Sequence, residues 1–178
     1  MLSTRVENPI VPRHIIHTRN DFNTTMEKLY SSIGRPEGRS GQTLKDITTF
    51  DKASKEAYTA DVEKKIGPHG FILFEEFDHG CWYPIYLPSR PKLQLKRVIF
   101  GNPLIAITMI QHDLTAGLSV PIQILVQERS VESGGGCDLV YFLPSALISG
   151  ERGNPDLEKA ARVLDEKLAT LVQWLVSV

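Results

Sequence analysis

The sequence predicts an α+β domain: a two-layer sandwich in which a mainly antiparallel sheet is crossed by a long C-terminal helix. Three observations carry that prediction. Short stretches rich in β-branched residues alternate apolar and polar side chains through the middle of the chain, one long helical stripe closes it, and a shorter helical stripe lies near its start. The resulting order is β-α-β(4)-α. A loop and helix are inserted at about residues 35–69, and residues 1–12 precede the domain as a flexible tail.

The first strand is RHIIHTR, Arg13 to Arg19. Asn20-Asp21 caps the helix that follows. Its apolar positions Phe22, Met26, Leu29 and Ile33 share one face, and Gly34 is placed to end it in the left-handed C′ role. The stretch from Arg35 to Lys45 is rich in glycine and poor in apolar residues, which predicts a mobile surface loop. Its Arg35, Arg39 and Lys45 offer charge for a phosphate, but ordinary solvation explains them without the strand–loop–helix context that phosphate loops need. A second helix is expected over Ser54 to Ile66, before Gly67-Pro68 breaks it.

GFILFEEFD, Gly70 to Asp78, begins as a continuous apolar run and ends acidic, which predicts a central strand emerging into solvent. In LQLKRVIFG, Leu93 to Gly101, Val98 and Phe100 share one face while Arg97 and Ile99 share the other. Pro103 to Leu118 reads as a short helix plus loop covering one end of the sheet. Pro121 to Arg129 and Cys137 to Pro144 form a hairpin, joined by glycines that supply positive φ. The last helix starts at Asn154-Pro155 and carries Leu157, Ala161, Leu164, Leu168, Leu171 and Leu175 as one stripe.

Bulk properties narrow the partners. The 178 residues, 42% of them hydrophobic, suit one domain with one core. Twenty basic and twenty-one acidic side chains leave a net charge of -1, which supplies no field to draw nucleic acid or an anionic membrane. MLSTRVENPIVPR lacks the apolar run of a signal peptide, and no segment approaches the ~20 apolar residues of a membrane span, so a cytoplasmic protein is expected. Cys81 and Cys137 are the only cysteines. With no HExxH motif, no Cys-x-x-Cys and no carboxylate cluster at ligand spacing, neither a metal nor any other cofactor is expected. His14 and His17 differ by an odd number along a strand and face opposite sides, which argues against a shared metal.

RVIFGNPL, Arg97 to Leu104, followed by LSVPIQILVQE, Leu118 to Glu128, resembles the domain of unknown function family 302. The resemblance extends from about Ile15 to Trp174. It implies a β-α-β(4)-α fold similar to the TATA-binding-protein-like class and a homodimer, and no particular chemistry. The sequence departs from the family pattern in two places. Arg35 to His69 intervenes before the Gly-Phe strand, and CWYPIYLPSRP stands where the family has a short Ala-rich helix. Its three prolines predict that no helix forms there.

A cavity between the curved sheet and the last helix is expected to hold a small molecule, bordered by the loop from Asp78 to Tyr86. His79 is the candidate acid/base group, with Asp78 beside it; the alternative is that Asp78 caps the turn and His79 is solvated. Trp82, Tyr83 and Tyr86 are candidate ligand walls, or else a cover over an open core end or part of a dimer interface. Arg97, His112 and Tyr141 are candidate polar groups of the same site, each with a structural alternative: pairing or exposure, a helix-end cap, and a core position. Cys81 as a nucleophile has only His79 near it in sequence, and a plain thiol explains it as well. Asn102-Pro103 reads as a structural turn. These residues support three functions: a metabolite-binding protein, a cofactor-independent isomerase, cyclase or lyase using His79, or a homodimeric interaction module without catalysis.

Overall fold

The computed structural model describes residues 3–35, 47–150 and 153–177. The elements are β1 (Arg13–Thr18), α1 (Phe22–Ser32), α2 (Lys52–Lys65), β2 (Ile72–Asp78), α3 (Tyr83–Tyr86), β3 (Leu95–Gly101), α4 (Pro103–Ile110), β4 (Ile122–Glu128), β5 (Cys137–Phe142), α5 (Pro144–Ile148) and α6 (Pro155–Val176). Short 3-10 helices cover Leu114–Leu118 and Val131–Ser133. The strands form one sheet in the order β1-β5-β4-β3-β2, every neighbouring pair antiparallel. An α+β fold with a long C-terminal helix is therefore what the chain adopts.

Alternation builds the core. Val98, Phe100, Ile122, Ile124, Val126 and Leu139 are buried on one face of the sheet, against Phe22, Met26 and Leu29 of α1 and the leucine stripe of α6. α6 runs for 22 residues, about 33 Å at 1.5 Å each, and so crosses the whole sheet. Its first turn is held by Asn154, whose side-chain oxygen accepts from the Leu157 amide at 3.1 Å. The opposite face stays partly open. There the register aligns one residue per strand, Phe77, Arg97, Leu125, Val140 and Ile15, with Phe77 44% and Ile15 56% exposed.

Four details differ from the expectation. Gly34 is not left-handed. Ile33 ends α1 in an extended conformation, and Gly34 is there for proximity: a Cβ would lie 1.6 Å from the Lys65 carbonyl oxygen, and one on Gly67 would lie 2.3 Å from the Gly34 nitrogen. The two glycine amides both donate to the Phe71 carbonyl, at 2.8 and 2.9 Å, and join the ends of α1 and α2 to the start of β2.

β2 is an edge strand, not a central one. Its apolar start is buried because Gly34 bridges Ile72 in parallel, which covers the edge that the sheet leaves open. One turn of helix, α3, forms despite the prolines, because Pro84 sits in its first turn, where no amide donor is required. α5, unpredicted, also opens on a proline and packs on α6.

The loop expected from Arg35 to Lys45 lies outside the described residues except for Arg35, whose guanidinium stacks 4.1 Å from the Tyr30 ring centroid.

Candidate functional site

The chain leaves β2 through a turn that is anchored rather than loose. The His79 and Gly80 amides both donate to the Leu95 carbonyl, at 2.8 and 2.9 Å. An Asp78 side-chain oxygen accepts from the Cys81 amide at 3.2 Å, and the Cys81 thiol donates to the Asp78 carbonyl at 3.0 Å. The other carboxylate oxygen lies 3.7 Å from Lys96 Nζ. Asp78 therefore caps the turn and faces Lys96. Among the described residues no carboxylate hydrogen-bonds the His79 ring, so the arrangement that orients a catalytic histidine is not assembled there.

His79 belongs instead to a ladder of aromatic rings. It lies nearly parallel to Phe77, 6.5 Å between centroids at 14°, and meets Trp82 edge-on at 5.8 Å, which in turn meets Tyr86 edge-on at 6.4 Å. Arg97, opposite Phe77 in the sheet, holds its guanidinium 5.4 Å from that ring. Its Nε is buried and meets no hydrogen-bond acceptor among the described residues. Tyr83 is a strut: its hydroxyl accepts from the Leu93 amide and donates to the Leu93 carbonyl, both at 3.0 Å, tying α3 to the approach of β3. The space beside it, about 490 Å³, is a groove bordered by exposed residues such as Arg90, Pro91 and Glu132.

A second space, walled by apolar side chains, lies at the other end of the sheet. Phe74 of β2, Ile122 of β4 and Leu164 of α6 contribute to a cavity of about 170 Å³, with Ile105, Ala106, Met109 and Ile110 of α4 forming one wall. Gly101-Asn102-Pro103, Gly117 and Val120-Pro121 complete it. Among the described residues its only polar side chain is already engaged: Asn102 Oδ1 accepts from the Leu104 amide at 2.8 Å, capping α4, and Nδ2 donates to the Gly70 carbonyl at 2.9 Å. None of the described lining residues ionises. The space is therefore suited to hold an apolar group and carries no acid, base or nucleophile of its own.

The sequence candidates thus separate. His79, Trp82 and Arg97 gather at one end of β2 and β3, with Asp78 and Tyr83 shaping that turn, and none of them lines the 170 Å³ cavity. His112 is exposed at the end of α4, with Nε2 3.4 Å from Gln111 Nε2. Tyr141 is buried on the core face and stacks on His14, 5.0 Å between centroids at 11°, its hydroxyl pushed above the ordinary value by burial and then by Asp165. His17 lies on the opposite face of β1, its Nδ1 3.1 Å from the Cys137 carbonyl and 3.3 Å from Asp138. Among the described residues no group of three side chains is placed to ligate a metal, and no helix is long and apolar enough to cross a membrane. A space between sheet and last helix is what the sequence leads one to expect, but it lies at the Gly101–Pro103 end and not beside the Asp78–Tyr86 loop; its apolar lining has no chemical signature in sequence to mark that place.

Fold and site together define a class by architecture, an open-faced α+β sandwich with an apolar end cavity, and not by a reaction. The family model described as domain of unknown function DUF302 matches residues 47–175, and the chain belongs to that family. The matched span takes in α2 and begins after β1 and α1. The crystal structure of an uncharacterized conserved DUF302 protein from Bacillus stearothermophilus is similar in fold, with a TM-score of 0.56 over 92% of this chain and 97% of that one at 14% identity. No curated protein matches the sequence.

Proposed function

We propose that this protein binds a small apolar molecule, without transforming it, in the cavity between α4, α6 and the end of the sheet. The observation that supports this is the cavity's size and lining: about 170 Å³, walled by hydrocarbon and closed at its polar corner by Asn102. An apolar cavity of about 150 Å³ stays dry and admits benzene, so the space has the capacity for a ligand of that order. The isomerase or lyase reading has less support, because His79 lies away from this space and lacks an orienting carboxylate. The test is an amide NMR titration with benzene, alongside native mass spectrometry of protein taken from its own host. Saturable shifts at Met109, Gly117 and Ile122, lost in Ala106→Leu, are expected. Unmoved resonances at those positions would sink the reading.

A second reading, a homodimer, is favoured by the partly open sheet face. Phe77, Leu125, Val140 and Ile15 form an apolar row interrupted only by Arg97, and aromatic groups with arginine are the side chains enriched at interface centres. Sedimentation velocity of the wild type and Val140→Asp would decide it: a dimer that the variant dissociates is expected, and a monomeric wild type at high concentration refutes it. The thiols Cys81 and Cys137, both free, suit a reducing cytoplasm. The open antiparallel sheet and element order support the kinship with TATA-binding-protein-like folds.

A further inference from the structure

We infer that the ligand is a neutral, flexible alkyl chain longer than the cavity, its end enclosed and its remainder laid over an apolar rim made by Ile107, Leu114 and Leu118. This rests on the cavity reading proposed above and narrows its ligand class. Gly117 lines the cavity yet is exposed, so the space opens beside the 3-10 helix Leu114–Leu118. The two leucines that end this helix are 81% and 93% exposed. Ile107, which follows the lining residue Ala106 on α4, is 53% exposed.

Leu114 and Leu118 are too exposed to anchor the segment that carries them. The 3-10 helix is anchored by the buried Ala116 and by Asp113, whose side-chain oxygen accepts from the Thr115 amide at 2.8 Å. Between Gly101 and Gln127 the only ionisable residues are His112 and Asp113. Along this stretch of chain the rim therefore offers a ligand mainly hydrocarbon, which suits a neutral chain. A compact ligand would fill the cavity and leave the rim without a role, whereas a chain engages both.

The test is a series of straight-chain primary alcohols, butanol to nonanol, titrated by NMR against the wild type and a Leu114→Gln/Leu118→Gln double variant, with benzene as the control. Both substituted positions are exposed, so the variant is expected to fold and to bind benzene as the wild type does. Each methylene fully buried strengthens binding by about fourfold. In the wild type affinity is expected to keep rising past the length that fills the cavity; in the double variant the rise is expected to stop there. If benzene binds but the wild type gains nothing from the longer alcohols, or if the double variant gains as much, the chain-and-rim inference is overturned and the cavity reading survives. If neither benzene nor any alcohol binds, both fall.

Discussion

Asn102 shows how one side chain sets both a turn and a cavity wall. It was legible in the sequence as a turn former before proline, but its bond to the Gly70 carbonyl spans 32 residues and leaves no local trace. Asn102→Ala removes the helix cap and orphans that carbonyl, with an expected loss of about 2 kcal/mol in urea unfolding. Asn102→Asp keeps the cap acceptor but sets a carboxylate oxygen against the Gly70 carbonyl, two acceptors with no proton between them, and is not expected to recover the loss. The cysteines differ for a similar, context-born reason. Burial pushes the Cys137 thiol up from 9.0 to about 11, while Cys81 is exposed. A thiol reagent at pH 8 should therefore modify one cysteine in the native protein and both in denaturant. Because the folded value is the raised one, the neutral thiol's contribution to stability is complete below pH 9.0 and is lost as pH climbs towards about 11. Two reactive thiols in the folded protein would contradict the placement of Cys137.

At the scale of elements, what the sequence revealed followed from periodicity and what it hid followed from tertiary contact. α6 was readable in full because its stripe repeats for 22 residues and its cap obeys local chemistry, so Asn154→Ala is expected to cost about 1 kcal/mol with the helix otherwise intact. The junction of α1, α2 and β2 departs from what local sequence implies. A glycine at a helix end has a common explanation in positive φ, and nothing nearby in sequence announces that Lys65 will press against it. The physical distinction is testable. A left-handed Gly34 would tolerate Asn, whereas the contact with the Lys65 carbonyl admits no side chain. Gly34→Ala and Gly34→Asn should both destabilise by about 3 kcal/mol or more in chemical denaturation; an Asn variant near wild-type stability would restore the simpler explanation.

Across the whole molecule, the two ends of the sheet divide the labour between visible and invisible chemistry. The loop from Asp78 to Tyr86 drew attention because it concentrates histidine, cysteine and aromatics, residue types with recognisable reactivity. The cavity at the other end is walled mainly by apolar side chains, among them Phe, Ile, Met, Val and Leu, whose arrangement about a void appears only once the layers are packed. If the cavity is the binding site, the two ends should be separable by mutation. His79→Ala and Arg97→Ala are expected to leave benzene affinity within about twofold, since neither residue lines the space. Leu164 is different: it is 3% exposed and forms part of both the α6 stripe and the cavity wall. Leu164→Ala should cost about 3 kcal/mol without ligand by leaving a larger void. The same void gives an apolar ligand more contact, so benzene at 100 times its dissociation constant should return about 2.7 kcal/mol. Calorimetry with and without benzene measures both quantities. A variant destabilised to that extent but indifferent to benzene would show that the space beneath α6 is a packing defect and not a site.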